Sequence, residues 1–250
     1  GVPGTVRGWH EALNRYGTMS FKDVLQPAIG VATKGFPVTE IFSHLTTENE
    51  TKFRRFASTS ALYLKDGKAL PVGHVIRNPG MAKAYREIAA NGYKAFYHGT
   101  MARAIVDAVN KPPVATGVKV RGGSMTMADL ANYESRIRQP VSSTYRGYEI
   151  YGMPPPSSGG IAVGEALNIL EGYPLKELGF RSAQSVHYQI EAMRHAYVDR
   201  NSYLGDPDFV KNPIAHLLDK NYATKLREAI SPQKAGVSKD LKPGVAPHEG

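Results

Sequence analysis

A seven-residue loop constrains the fold of this chain more than any other stretch. Residues 154–160 read Pro-Pro-Pro-Ser-Ser-Gly-Gly, which is a stiff approach followed by two residues without side chains. Before the loop, residues 145–153 alternate in the manner of a strand. After it, the apolar run 161–170 has the composition of a buried helix. A strand, a rigid turn and a helix in direct succession indicate an α/β chain.

Turn and capping residues divide most of the remaining sequence into helices. Ser20, Thr126 and Ser182 stand where helix N-caps are expected, and Asp129 completes a capping box with Thr126. These signals, together with apolar spacing, predict helices over residues 9–16, 21–34 (interrupted at 26–27 by Pro27), 41–56, 81–90, 100–109, 127–133, 161–170, 183–202 and 214–230. Residues 62–64 are predicted to form a strand that enters a turn at Asp66-Gly67.

The longest predicted helix carries an apolar stripe. Val186, Ile190, Met193 and Tyr197 recur at helical spacing, so they are predicted to face the core. The chain has 250 residues, which is enough to bury a sizeable core, and its 42% hydrophobic and 21% charged residues are typical of a globular protein. We therefore predict a helix-rich α/β domain.

Composition excludes several classes of protein. The absence of cysteine excludes a disulfide framework, a cysteine metal site and a cysteine nucleophile. No apolar stretch approaches the length of a membrane span, and no signal peptide is visible. Gly1 in place of Met predicts a processed chain or a fragment. The formal net charge is +9, but the basic residues are scattered, so we favour solvated faces over a nucleic-acid interface.

The serines of the loop are the first candidates for a functional site. Ser157 and Ser158 precede a helix N-terminus, where backbone N–H groups favour an anion. With Gly159 and Gly160 they are predicted to support the wall of a pocket for a carboxylate. An N-cap with a tight strand-to-helix turn explains the same residues without any ligand.

Two further groups of polar residues have structural explanations as well. His187, Glu191 and His195 recur every four residues on one predicted helix and could hold a metal ion, but the closer spacing of HExxH is missing and a solvated face is favoured. Asp199, Asp206 and Asp208 could do acid/base chemistry, although aspartate before proline commonly starts a turn. We predict no metal site, and the sequence indicates no cofactor.

Several stretches, in order, resemble the γ-glutamyltranspeptidase family. The most distinctive runs from Tyr151 to Gly160 and reads Tyr-Gly-Met-Pro-Pro-Pro-Ser-Ser-Gly-Gly. The others are Pro-Gly-Thr at residues 3–5, Tyr-Gly-Thr-Met at 16–19, Gln-Pro-Ala at 26–28, Gly-Phe-Pro-Val at 35–38, Tyr-Arg-Gly-Tyr at 145–148, Asn-Ile-Leu-Glu-Gly at 168–172, Glu-Ala-Met-Arg-His-Ala-Tyr at 191–197 and Tyr-Leu-Gly-Asp-Pro-Asp-Phe-Val at 203–210. The resemblance covers nearly the whole chain.

The resemblance implies a fold and a chemistry. The fold is the αββα four-layer sandwich of N-terminal-nucleophile hydrolases, to which this chain contributes a helix-rich portion of the large subunit. The partner is the small subunit of the same precursor, whose N-terminal threonine attacks a γ-glutamyl amide such as glutathione. The glutamyl group then passes to water, an amino acid or a dipeptide. The family also implies a periplasmic or secreted location, with no nucleic acid and no membrane span in this chain.

The same resemblance places the reacting groups outside this sequence. The family's threonine follows a linker like residues 242–250, and its substrate-binding arginine lies upstream of the Pro-Gly-Thr turn. No catalytic residue is therefore assigned here, whereas His248, Glu249 and Gly250 are predicted to lie near the autoprocessing site. We divide the chain into a large-subunit portion, residues 1–230, and a flexible tail, residues 231–250, whose Pro, Gly and Lys content lacks periodicity.

Other functions stay open on the sequence. A related amidohydrolase, such as a cephalosporin acylase or an enzyme that processes poly-γ-glutamate, has the same implied fold. A non-catalytic scaffold subunit is a second class. A nucleic-acid binder is a third, motivated by the net charge of +9.

Overall fold

The computed structural model describes residues 1–244 and divides the chain into two compact units. The first unit spans Gly1–Arg136, and the second begins at Ile137. Helices dominate both units, and the described strands form three separate two-stranded antiparallel sheets. Within residues 1–244, no helix combines the length and the apolar character that crossing a membrane requires.

The first unit consists of nine helices and four very short strands among its described residues. In chain order the elements are α1 Thr5–Tyr16, α2 Phe21–Val24, α3 Gln26–Lys34, β1 Phe36–Pro37, α4 Glu40–Phe53, α5 Ala57–Tyr63, β2 Leu64–Lys65, β3 Lys68–Ala69, β4 Val75–Ile76, α6 Pro79–Asn91, α7 Lys94–Tyr97, α8 Gly99–Asn110 and α9 Met127–Ala131. Strand β1 pairs with β4, and β2 pairs with β3.

The core of the first unit is centred on Tyr97. Its ring is 2% exposed, its hydroxyl donates a hydrogen bond to the Pro3 carbonyl (2.7 Å), and the Arg7 N–H donates to it (3.1 Å). These bonds tie α1 to the α7 region across about 90 residues of sequence. Tyr97 belongs to one buried cluster with these apolar residues: Val6, Leu25, Ile29, Ile88, Ala102, Val106 and Leu130.

The second unit packs helices against one β-hairpin. Its elements are β5 Val141–Tyr145, β6 Tyr148–Gly152, α10 Gly159–Leu170, α11 Leu175–Leu178, α12 Ala183–Tyr203, α13 Ile214–Leu217, α14 Lys220–Glu228 and a 3-10 turn, Ser238–Asp240. Helix α10 is the centre of this unit and contacts α12, α14 and both hairpin strands. The core consists mainly of Val141, Ile161, Ile169, Ala192, Ala196, Leu217 and Ala223.

The predicted caps and breaks are confirmed. Ser20 accepts a hydrogen bond from Asp23 N, Ser182 accepts one from Ser185 N, and the capping box of Thr126 and Asp129 is complete. The helix predicted over 21–34 is interrupted at Leu25, one residue before Gln26. Local hydrogen-bonding groups fix these positions, which explains why the sequence reveals them.

The single strand predicted over residues 145–153 is wrong. The structure contains a hairpin in which Tyr145 pairs with Tyr148 and Val141 pairs with Gly152. Arg146 and Gly147 form its turn with φ values of +49° and +85°, because a two-residue type I′ hairpin turn requires a positive φ at both central residues. The alternation of side chains continues on both sides of the turn, so the sequence pattern does not reveal that a turn is present.

Further element boundaries differ from the prediction, among them the start of the first helix, at Thr5 rather than residue 9, and the end of the helix predicted over 41–56, at Phe53. Leu62 and Tyr63 lie in the last turn of α5 rather than in a strand, because both pack there against the small core of Val38, Leu70 and Ile76. The helix predicted over 214–230 is divided in two, because Asp219 caps α14 by accepting hydrogen bonds from the N–H groups of residues 221 and 222.

The orientation predicted for the long helix is also wrong. Val186, Ile190, Met193 and Tyr197 are between 39% and 56% exposed, whereas the opposite side of α12 is buried against α10. The buried side carries small and polar residues instead: Ser185, Glu191, Ala192, His195, Ala196 and Asp199. Alanines let the two helices approach closely, so the small face packs inward and the large apolar face is left uncovered by the described residues.

Candidate functional site

The Pro/Ser/Gly loop brings the end of β6 against the start of α10. Gly160 N donates to the Met153 carbonyl (3.2 Å). A Cβ atom on Gly160 would lie 2.6 Å from that carbonyl oxygen, and a Cβ on Gly152 would lie 2.5 Å from the Cα of Gly160. Two backbones therefore meet where neither residue has room for a side chain.

The two serines of the loop have different partners. Ser157 Oγ accepts a hydrogen bond from Gly159 N (3.3 Å), so it satisfies one N–H group of the first turn of α10. Ser158 Oγ accepts from the Arg200 guanidinium (2.9 Å), which lies on α12 over the ring of Tyr197. The N-terminal end of α10 thus combines a helix dipole with an exposed cation, an arrangement that attracts a carboxylate.

A cluster of buried polar side chains lies deeper in the same unit. Glu165 on α10 and Asp199 on α12 are each only 1% exposed. Asp199 accepts hydrogen bonds from the Tyr222 hydroxyl on α14 and from Gly244 N (3.0 Å). Neither oxygen of Glu165 has a hydrogen bond of ordinary geometry to a described residue.

The electrostatics of this cluster follow from its burial. Burial, and after it the charge of Asp199, raises the pKa of Glu165 well above its usual range, so its carboxyl is protonated at neutral pH. Burial and the hydrogen bond to Asp199 raise the pKa of Tyr222. The pKa of His195 is lowered by burial, against the opposing effect of Glu191 and Asp199, so its imidazole is neutral at pH 7.

The C-terminal segment 231–244, here called the tail segment, lies along α12. Its main chain meets α12 at four places: Ser231 O contacts His187 Nε2 (2.7 Å), Pro232 O accepts from Gln184 (2.9 Å), Gly236 N donates to Glu191 (3.2 Å), and Gly244 contacts both Asp199 and the hydroxyl of Tyr203. Arg194 pairs with Glu191 (2.6 Å) and donates to Ser238 Oγ (3.2 Å). The flexibility of residues 231–250 stays a prediction, and His248, Glu249 and Gly250 lie outside the described residues.

The other candidate groups are explained by structural contacts. His187, Glu191 and His195 do share a side of α12, but His187 and Glu191 bind the tail segment, and no cluster suited to a metal ion occurs among residues 1–244. Asp208 and Asp206 face Arg138, at 2.9 and 3.8 Å, and Asp206 Oδ1 accepts from the N–H of residue 208. Asp199 is buried apart from this turn in the cluster with Glu165.

Comparison with known proteins assigns the family. The family model described as gamma-glutamyltranspeptidase matches residues 1–248, which is almost the entire chain. The chain belongs to the γ-glutamyltranspeptidase family. The helix-rich portion of an α/β sandwich that the resemblance implies is accordingly confirmed as the fold class.

Relatives of this γ-glutamyltranspeptidase family member carry two kinds of name. The chain is 49% identical to the glutathione hydrolase proenzyme of Pseudomonas sp. (strain A14), over all of this chain and 42% of that protein. It is 43% identical to the acylase ACY 1 proenzyme of Pseudomonas sp. (strain SE83), over 94% of this chain and 40% of that protein. The chain spans about two fifths of the length of these curated relatives.

A solved structure in the γ-glutamyltranspeptidase family has the same fold. The crystal structure of Helicobacter pylori gamma-glutamyltranspeptidase superimposes with a TM-score of 0.88 at 35% identity. The match covers 99% of this chain and 69% of that chain. The resemblance seen in the sequence motifs is therefore accompanied by a resemblance of the backbone fold.

Sequence reasoning missed two members of the buried polar cluster of this family member, Glu165 and Tyr222. Glu165 is the only charged residue of α10, a helix that is otherwise apolar and carries one further polar side chain, Asn168. A single carboxylate within an apolar run was an available signal, because such a residue is rarely buried without a partner. Its neighbour Tyr222 gave no signal, since tyrosine is common in cores and at surfaces alike.

Proposed function

We propose that this chain forms a large-subunit portion of a glutathione hydrolase, an enzyme that cleaves γ-glutamyl amides and transfers the γ-glutamyl group to water, an amino acid or a peptide. The observation that carries the proposal is 49% identity, over the whole chain, to a protein named a glutathione hydrolase proenzyme. In this proposal the nucleophile is the N-terminal threonine of a small subunit cut from the same precursor, with its own α-amino group as base.

The proposed role of this chain is to support the substrate pocket. Ser157, Ser158, Gly159 and Gly160 form the turn at the N-terminus of α10, and Arg200 adds a positive charge beside Ser158. A γ-glutamyl substrate carries a free α-carboxylate, and a helix N-terminus with a nearby guanidinium favours such an anion. The loop then contributes electrostatic attraction and a rigid wall, while the chemistry takes place on the partner.

The apolar stripe on α12 supports the proposal of a partner subunit. Four large side chains, Val186, Ile190, Met193 and Tyr197, are exposed on one face of a helix whose other face is already packed. Contiguous exposed apolar surface of this kind marks an interaction site. In this proposal the small subunit of the same precursor covers the stripe.

The proposed activity is tested on the complete protein that contains this chain. Incubation with a γ-glutamyl anilide is expected to release the aniline, and N-terminal sequencing of the smaller polypeptide is expected to give threonine. A smaller polypeptide that begins with a residue other than threonine, or no smaller polypeptide at all, would overturn the proposal.

The relatives also support a second candidate, an acylase. The chain is 43% identical to a protein named acylase ACY 1 proenzyme, which is close to its 49% identity with the glutathione hydrolase proenzyme. Parallel assays with the γ-glutamyl anilide and with a cephalosporin that bears a dicarboxylic side chain distinguish the two. Faster turnover of the cephalosporin would favour the acylase and count against the glutathione hydrolase.

We further propose a periplasmic or secreted location, as the family resemblance implies. A glutathione hydrolase outside the cytoplasm meets glutathione that has left the reducing cell interior. Fractionation by osmotic shock is expected to release the activity with periplasmic marker enzymes or to find it in the medium. Recovery with cytoplasmic markers would contradict this location.

A further inference from the structure

Six polar residues on α12 follow the tail segment from end to end. Here they are called the polar track: Gln184, His187, Glu191, Arg194, Asp199 and Tyr203. They are spaced three to five residues apart, and their partners in the tail segment run from residues 231–232 to residue 244 in the same direction. Roughly 28 Å of helix, at 1.5 Å per residue, thus accompanies the segment.

The contacts between the track and the tail segment bind mainly the peptide backbone. Of the partners in the segment, only Ser238 contributes a side chain; the others are main-chain carbonyl or N–H groups. Glu191 and Asp199 are 3% and 1% exposed, and a carboxylate that accepts from a backbone N–H forms a strong, charge-assisted bond. The track therefore fixes the path of the main chain in the tail segment, whatever most of the segment's side chains are.

A role limited to stabilising α12 explains these contacts less well than a role in holding the tail segment. Buried carboxylates on α12 would be satisfied by neighbouring side chains, as Glu191 is by Arg194 and Asp199 is by Tyr222. Both carboxylates nevertheless also accept a main-chain N–H from a segment about 45 residues further along the chain. The last of these contacts, at Gly244, is adjacent to residues 245–250.

We propose that the polar track positions the precursor's main chain for self-cleavage, by holding residues 231–244 so that the peptide bond to be cut downstream is presented in one geometry. The inference rests on the proposed function, because it concerns a precursor that cuts itself. The cleavage breaks one peptide bond, consumes one water, and leaves a new carboxylate and a new amino group. The track residues are positioning residues, since they touch the segment and not the reacting atoms.

The test uses two mild substitutions at the ends of the track. Tyr203→Phe removes one hydroxyl and Gln184→Ala removes one exposed amide, so the double variant loses a contact at each end without disturbing the buried carboxylates. Gln189→Ala is the matched control, because Gln189 is exposed on the same helix and lies off the track. All proteins are made as complete precursors.

Two readouts separate this inference from the proposed function. The first is hydrogen exchange of the N–H groups in residues 233–244, which the double variant is expected to speed up by about tenfold or more, because the loss of two hydrogen bonds lowers the free energy of local opening by an amount equivalent to about that factor. The second is the first-order rate of precursor cleavage. It is expected to fall by about 10- to 100-fold, because a misplacement of ~1 Å can cost about 100-fold in rate.

The outcomes are distinct. If the wild-type precursor is not cleaved, the proposed function fails, while the exchange measurement still tests whether the track holds the segment. If the wild type is cleaved and the double variant matches both it and Gln189→Ala in exchange and in cleavage rate, the inference is overturned. Faster exchange with an unchanged cleavage rate also overturns it, because the segment would then be held without positioning the bond. Restoration of the cleavage rate when Gln184 alone is returned would support it.

Discussion

Among the single residues of this chain, Glu165 is the clearest case of a side chain whose charge state is set by its surroundings. It occupies the middle of an apolar helix, is 1% exposed, and lies beside the carboxylate of Asp199. An acid in this position is held in its neutral form, because burial and a like charge both oppose ionisation. The stability of the second unit is therefore linked to pH through one proton.

Replacement of Glu165 by Gln is expected to remove that link. The pKa of Glu165 is higher in the folded state than in the unfolded state. The contribution of its carboxyl to the free energy of unfolding is therefore complete below about pH 4.3, the pKa of an unperturbed Glu. This contribution is lost as pH rises towards the raised pKa of the folded state. Relative to Glu165→Gln, the free energy of unfolding of the wild type should fall by up to about 1.4 kcal/mol per pH unit across that window.

Chemical denaturation at a series of pH values measures this difference. Glu177→Gln serves as the control, because Glu177 is exposed on α11 and should leave the pH profile of the wild type unchanged. Parallel profiles for the wild type and Glu165→Gln would show that the buried carboxyl does not titrate in this way.

Two adjacent glycines give a second residue-level prediction. Gly160→Ala is expected to destabilise the protein by about 1–3 kcal/mol, because its new methyl group would meet the Met153 carbonyl at 2.6 Å. Gly159→Ala is the matched control, since the nearest atom to its methyl group would be Ser157 Oγ at 3.5 Å, an ordinary contact. Thermal unfolding of both variants decides the point, and equal losses at the two positions would contradict it.

At the scale of elements, α12 has two faces with opposite roles. Its small and polar face packs on α10, and its large apolar face is exposed in this chain. Apolar spacing alone predicts the reverse, since large side chains are usually the ones that face a core. The proposed small subunit resolves the conflict, because a helix between two partners can bury both faces.

Ile190→Asp is expected to weaken the association of the two proposed subunits by at least about tenfold, because a buried aliphatic side chain contributes about 1.5–3 kcal/mol. Gln189→Asp introduces the same charge one position away and should have little effect. Gel filtration of the processed protein at decreasing concentration measures the dissociation. Equal dissociation of the two variants would count against the apolar stripe as the contact surface.

Some features of these elements could be predicted from the sequence, and others could not. Caps at Ser20, Thr126 and Ser182 were predictable, because a side chain next to its own helix determines them. The hairpin turn at Arg146-Gly147 was not, because its residues fit the alternation of a continuous strand. The cluster of Glu165, Asp199 and Tyr222 was not predictable either, since three separate helices bring its members together.

At the scale of the whole molecule, family and fold were evident from short motifs, whereas the reacting groups were not. The motif over residues 151–160 and its companions pointed to the γ-glutamyltranspeptidase family, and the match over residues 1–248 confirms it. The pocket-supporting role of Ser157–Gly160 stays a prediction, because the groups that would define the pocket belong to the proposed partner.

The proposed location of the nucleophile on the small subunit leads to a prediction for the isolated chain. Residues 1–250 purified without the small subunit are expected to release no aniline from a γ-glutamyl anilide, because no activated nucleophile is assigned to them. Circular dichroism must show the helical signal of a folded chain for the result to count. Turnover by this material alone would mean that the reacting hydroxyl lies within these residues.

The backbone contacts of the tail segment have a consequence for how this sequence can diverge. A track that recognises peptide groups tolerates exchange of side chains but not a change in the number of residues, because one insertion would shift every later carbonyl and N–H out of register. Gly244 is the exception, because a Cβ there would collide with the ring of Tyr222. A Cβ on Gly236 would lie 3.0 Å from the ends of the Glu191 and Arg194 side chains, so these would only have to shift slightly. Among natural sequences, residues 231–244 should accordingly vary widely in their side chains, keep the same number of residues and retain glycine at position 244.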